Sequence, residues 1–136
     1  MDSQKKQALI EQAFNAQANA HAPYSGFQVG AAVLSDNGQI HAGCNVENAA
    51  YPLGQCAEAT AIGTMVAAGG KGIKAIVIAS PSDELCFPCG GCRQKIAEFA
   101  HDDVAVIMAT RTGTIKQVSI GELLPYAFRN TDLTHR

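Results

Sequence analysis

The chain is short of charge, of aromatic side chains and of long apolar runs. Charged residues make up 16% of its 136 positions and aromatics 6%. No apolar run approaches the roughly 18 residues that a membrane-spanning helix needs, so no membrane partner is expected. There is no basic excess. Ten Lys and Arg face twelve Asp and Glu, for a net charge of −2, and the only adjacent basic pair is Lys5-Lys6. That composition gives no support for a nucleic-acid partner and favours a small molecule or a protein. The polar start, Met1 to Gln7, has no apolar segment behind it, so no secretory signal is expected and the cytoplasm is the expected location. No repeat, low-complexity tract or linker divides the chain, and a single domain over 1–136 is expected. Hydrophobic residues supply 47% of the sequence. This is too many for a disordered chain and enough for a real core.

Hydrophobic periodicity predicts a first helix from Ser3, acting as its cap, to about Asn19. Pro23-Tyr24-Ser25-Gly26 breaks it, and Phe27–Leu34 reads as a strand. Asp36-Asn37-Gly38 is a turn signal, so Gln39–Asn45 returns as the second arm of a hairpin. A loop then leads to a helix over about Cys56–Ala68, which Gly69-Gly70-Lys71-Gly72 stops. Ala75–Ala79 and Val104–Ala109 are continuous apolar runs of the kind found in buried central strands. A third helix is expected between them, from about Cys89 to Ala100. Thr114–Val118 reads as a short edge strand and Ile120–Leu124 as a short helix. Strands alternating with helices predict an α/β sheet covered on both faces.

Five cysteines are present: Cys44, Cys56, Cys86, Cys89 and Cys92. An odd number without a signal peptide points to a reducing compartment, where such clusters bind metal or do redox chemistry. Cys89 and Cys92, three apart in a first helical turn, can point at one spot beyond the helix end. Cys56, at the start of another helix, can supply a third thiolate. Helix N-termini carry partial positive charge and free N–H groups, which favour thiolate over thiol. Three ligands with one position open is the arrangement of a catalytic zinc site, whereas structural sites normally close with four. Glu58, in the first turn beside Cys56, can reach a group beyond the helix end and move protons there.

Cys-Ala-Glu at 56–58 followed by Pro-Cys-Gly-Gly-Cys-Arg at 88–93 resembles the zinc deaminases that act on nucleobases. Residues 23–32, 43–51 and 123–128 extend the resemblance, over nearly the whole chain, to the free cytidine deaminases of the short, three-cysteine type. That resemblance implies a three-layer α/β/α sandwich around a mixed five-stranded sheet and one Zn²⁺ held by Cys56, Cys89 and Cys92. It implies Glu58 as the general acid/base of a hydrolytic deamination of cytidine and 2′-deoxycytidine, an activity of pyrimidine salvage. Phe27 would pack on the pyrimidine, Asn45 and Glu47 would bind the ribose hydroxyls, and the Ala57 N–H would bind the base carbonyl. It further implies a homotetramer in which Ala49, Tyr51 and Phe128 reach a neighbouring subunit's site.

One position departs from the pattern. Three-cysteine members often carry Arg directly after the Glu, where it hydrogen-bonds ligand thiolates; this chain has Ala59. Arg93 is a candidate substitute, with helix N-termini and N–H···S bonds as the other source of compensation. Plainer readings also stand. Cys44 reads as a packed strand residue. Cys86 could be a fourth ligand of a closed structural site, and Cys89-x-x-Cys92 alone could be a redox pair. Glu47 alone would be a solvated acid, Phe27 a core residue, Tyr51 a packed loop residue and Phe128 a tail anchor. His21, His41, His101 and His135 show no ligand spacing and are given no role.

Overall fold

The computed structural model describes residues 1–134. His135, and with it the last part of the expected 1–136 unit, lies outside the described residues. Helix α1 spans Ser3–Gln17 and buries Leu9, Ala13 and Gln17. Its cap is Asp2 rather than the expected Ser3: the Asp2 carboxylate accepts the Lys5 N–H at 2.7 Å. An acid there also suits the positive end of the helix.

The chain continues as β1 (Gly30–Ser35), β2 (Ile40–Cys44), a 3₁₀ turn (Tyr51–Leu53), α2 (Ala57–Ala67), β3 (Ile73–Ala79), α3 (Gly90–Phe99), β4 (Ala105–Ala109), β5 (Ile115–Ser119), α4 (Ile120–Leu123) and α5 (Asn130–Thr134). The expected first strand began at Phe27, but β1 begins three residues later. Over 27–29 the chain is held chiefly by a side chain, with one backbone bond from the Asn45 N–H to the Val29 carbonyl at 3.3 Å. The Asn45 amide accepts the Val29 N–H at 2.9 Å and donates to the Phe27 carbonyl at 2.8 Å. The hairpin between β1 and β2 is as expected. Gly38 (φ 84°) supplies its left-handed position and donates to the Ser35 carbonyl at 3.0 Å.

The five strands form one mixed sheet in the order β2-β1-β3-β4-β5. β3 and β4 are parallel, with α3 as the crossover, and the other pairs are antiparallel. Period-two alternation divides the core between the faces. Ala32, Leu34, Val77 and Ile107 meet Leu9 and Ala13 of α1. Val33, Ile76, Ile78, Val106 and Met108 meet Ala61, Ile62 and Met65 of α2 and Ile96 of α3. Helix, sheet and helix pair make the three layers that the sequence led us to expect.

Two glycines set how closely the layers approach. A Cβ on Gly30 would lie 1.9 Å from the Ala13 carbonyl oxygen, and one on Gly43 would lie 2.4 Å from the Ala61 nitrogen. Both obstacles are backbone, so neither can swing aside. Gly30→Ala is therefore expected to force α1 off the sheet and cost about 1–3 kcal/mol, the usual range for overpacking. Urea denaturation of the variant checks this; an unchanged midpoint would mean that α1 is not held at contact distance.

Candidate metal centre and active site

Helices α2 and α3 lie on the same face, and their first turns converge. Cys56 is the N-cap of α2 and Cys89 the N-cap of α3, and neither helix has a side-chain cap hydrogen bond. The free N–H groups of both first turns therefore stand beside the cysteines. Cys92 is in the first turn of α3 and is buried. The three sulfurs lie within 4.8 Å of one another, with Cys56 Sγ and Cys89 Sγ 3.9 Å apart. Tetrahedral zinc with Zn–S bonds of about 2.3 Å needs sulfurs about 3.8 Å apart. A soft, three-thiol donor set at that spacing fits zinc. Cys86 lines the adjoining cleft without joining the group, so the ligand set leaves a fourth position open.

The thiols are unequal. The Cys92 backbone N–H, ahead of other influences, draws Cys89 below the ordinary thiol range. Burial, then the neighbouring Cys89, pushes Cys56 up, and burial pushes Cys92 up. Burial also takes Cys86 to about 11. No charged side chain hydrogen-bonds the sulfurs among the described residues. Position 59 is alanine, and Arg93 is engaged elsewhere. It donates from Nε to the Pro88 carbonyl at 2.8 Å and from Nη1 to the Leu123 carbonyl at 3.0 Å. Arg93, one of the two candidate sources of compensation, is thus a brace between the start of α3 and α4. Among the described residues, what offsets thiolate charge is backbone N–H.

Glu58 is 4% exposed, and burial raises its carboxyl above the ordinary range. It shares a cleft of about 300 Å³ with Phe27, Asn45, Glu47, Ala57, Cys56 and Cys89. So the structure brings three of the proposed sugar- and base-binding side chains, and the start of α2, to one opening over the thiol pair. Phe27 is 46% exposed, which removes the plain core reading. Both ends of the Asn45 amide already hold the backbone of 27–29. Glu47 accepts from the Tyr24 N–H at 3.0 Å, the Ser25 N–H at 3.1 Å and the Ser25 hydroxyl. The Ser25 hydrogen bonds hold its carboxyl below the ordinary value. Sequence reasoning passed over Ser25 as part of a turn signal; its spacing from Glu47 carried no hint of contact.

Ala49, Tyr51 and Phe128 are not brought to this cleft within one chain. All three are exposed, and Tyr51 lines a neighbouring cleft with Tyr24, Ser25 and Glu47.

A family model described as the cytidine and deoxycytidylate deaminase zinc-binding region matches residues 3–108. The chain is 40% identical over 135 residues to a cytidine deaminase of Sporosarcina psychrophila, spanning 99% of this chain and 97% of that one. Among solved structures it is similar to a cytidine deaminase from Burkholderia pseudomallei, with a TM-score of 0.86 and 41% identity, covering 94% of this chain and 100% of that one. A cytidine deaminase from Mycobacterium tuberculosis superposes with a TM-score of 0.80 at 35% identity, covering 90% of this chain and 96% of that one.

Two outcomes are expected for metal-free protein. Iodoacetamide should label Cys89 faster than Cys56 or Cys92, since the thiolate is the reactive form and Cys89 alone of the three is drawn below the ordinary thiol range. Zinc should suppress all three, and mass spectrometry of digested protein reads both; equal labelling of Cys56 and Cys89 would contradict the assignment. The second outcome concerns Glu58. A carboxyl raised by folding binds more protons folded than unfolded, so its stabilisation is present below its ordinary 4.5 and is lost as pH rises toward the folded value. Glu58→Gln should therefore raise Tm at pH 7 by more than it does at pH 4. A gain independent of pH would show that Glu58 is not desolvated.

Proposed function

Since the chain belongs to the cytidine and deoxycytidylate deaminase family, we propose that it hydrolyses cytidine and 2′-deoxycytidine to the corresponding uridine forms and ammonia. The observation that carries this reading is a buried Glu58 beside an open three-thiol group, in a cleft of about 300 Å³. Cys56, Cys89 and Cys92 hold zinc, and zinc bound there supplies the Lewis acidity that makes water nucleophilic near neutral pH.

Glu58 carries the protons. In the net reaction a C4–O bond forms and the C4–N bond breaks. The attacking water gives up two protons, one ending on ring N3 and one on the departing ammonia. A carboxyl lifted by burial holds a proton more readily than a solvated one, so it can accept the first from water and release it to N3. The same carboxyl then serves the leaving amine. Phe27 packs against the pyrimidine face. The Ala57 N–H, an uncapped donor in the first turn of α2, takes the base carbonyl oxygen. Asn45 and Glu47 take the ribose hydroxyls.

Residues 1–136 act as one domain, in a homotetramer whose sites are shared. Support for the assembly is the apolar surface a lone protomer leaves in water: Tyr51 is 75% exposed, Leu53 71% and Phe128 54%. Ala49, Tyr51 and Phe128 would then complete a neighbour's cleft. Pyrimidine salvage in the cytoplasm belongs to the same proposal.

Uridine formation from cytidine by zinc-loaded protein tests the reading. Turnover should disappear as a chelator removes zinc. Glu58→Gln should keep zinc and lose at least ~100-fold in kcat, the lower end for a general acid/base. Near-normal turnover in that variant would overturn the assigned proton carrier. No turnover by folded, zinc-bound parent protein would overturn the substrate.

A further inference from the structure

Glu47 borders two clefts. One, of about 300 Å³, contains Phe27, Glu58, Cys56 and Cys89; the other, of about 340 Å³, contains Tyr24, Asn48 and Tyr51. A surface glutamate at such a divide can turn to either side, so something must choose for it. The two backbone N–H groups of Tyr24 and Ser25 both hold one oxygen, Oε1. The second oxygen, Oε2, accepts from the Ser25 hydroxyl. That same hydroxyl accepts the Phe27 N–H at 2.9 Å. Asn45 holds the other side of Phe27 through its carbonyl. Phe27 is therefore pinned at both backbone ends, and one of those pins is also what fixes the rotation of the Glu47 carboxylate.

We propose that Ser25 is a positioning residue for the sugar of the substrate: its hydroxyl, on the wall that both clefts share, fixes the rotation of the Glu47 carboxylate. This rests on the proposed nucleoside reading and deepens it, because Ser25 acts through Glu47. The competing role is purely local. A serine hydroxyl accepting the N–H two residues on is a common turn device, and Gly26 between them is left-handed at φ 68°. A turn-former would disturb every substrate alike. A positioner of Glu47 would disturb only substrates whose sugar hydroxyls Glu47 grips.

The test uses the zinc-loaded full chain with cytidine and with 2′,3′-dideoxycytidine, which lacks those hydroxyls. Ser25→Ala should raise KM for cytidine about tenfold, the scale of one charge-assisted hydrogen bond misdirected, with little change in kcat. KM for the dideoxynucleoside should stay at the parent value, and Ser25→Thr should restore cytidine binding. If Ser25→Ala does not fold, Ser25→Cys removes the strong donor with less change of shape and gives the same comparison. An equal rise in KM for both substrates would overturn the proposal in favour of a turn-former. No rise for cytidine would overturn it as well. Glu47→Gln separates this from the reading beneath it. If that variant loses cytidine affinity while Ser25→Ala does not, only the Ser25 inference fails. If Glu47→Gln leaves cytidine KM unchanged, the sugar assignment fails and takes the Ser25 inference with it.

Discussion

Two helices begin at the same place with cysteine where a capping oxygen usually stands, and the site is built on that arrangement. An N-cap serine, threonine or aspartate is worth about 1 kcal/mol to a helix. Cys56 and Cys89 forgo that contribution, and α2 and α3 start without any side-chain cap. The N–H groups left over are not wasted. The Cys92 N–H is the leading reason that Cys89 is the most acidic of the three thiols. A metal that gathers the sulfurs would tie the two helix starts together and replace the missing caps. Stability and chemistry therefore draw on the same atoms. The same economy accounts for Ala59: with Arg93 committed to the carbonyls of Pro88 and Leu123, thiolate charge is left to backbone dipoles.

Two carboxylates border one cleft, and their surroundings drive them apart. Glu58 is buried on α2 and lifted by desolvation; Glu47 is at the surface and lowered by the Ser25 and Tyr24 donors. Groups separated in this way take different jobs. The lifted acid can exchange a proton. The lowered one stays ionised across the neutral range and can only accept hydrogen bonds, which suits the recognition of hydroxyl groups. The division follows from place in the fold: Glu58 is in the first turn of a helix pressed onto the sheet at Gly43, while Glu47 is in the loop beyond β2.

The chemistry was more legible in the sequence than the recognition was. Cys56, Glu58, Cys89 and Cys92 sit at helix starts, where local spacing determines direction, so their convergence could be read from motif and helix boundary. The buried strands β3 and β4 were equally plain as apolar runs. What escaped was whatever depends on contact between distant segments. Phe27 reads as the start of a strand because it is apolar, yet it is half exposed, since a side chain from position 45 replaces the strand partner there. Ser25 meets Glu47 across 22 residues of sequence, and nothing in either neighbourhood encodes the meeting. Asp2 rather than Ser3 caps α1 because both residue types are good caps and only the hydrogen bond decides.

The frame behind the cleft is held differently from its mouth. Gln17, 1% exposed, donates to the carbonyls of Gln28 and Ala79, each at 3.3 Å, while Arg111 donates to its oxygen from Nε at 3.2 Å and Nη2 at 2.8 Å. One side chain thus joins the end of α1, the approach to β1, the end of β3 and the turn before β5. A buried polar group satisfied on every side fixes a single arrangement, because any shift leaves a donor or acceptor unpaired in a dry interior. The bonds that orient Glu47 are at the surface instead, where water can substitute for each of them at small cost. The backbone approaching Phe27 is accordingly held fast from behind at Gln28, while the Glu47 carboxylate depends on a small exposed network. Loss of a frame bond would reach any ligand through the position of the Phe27 ring, whereas loss of a bond to the Glu47 carboxylate would reach only a ligand that presents hydroxyls to it.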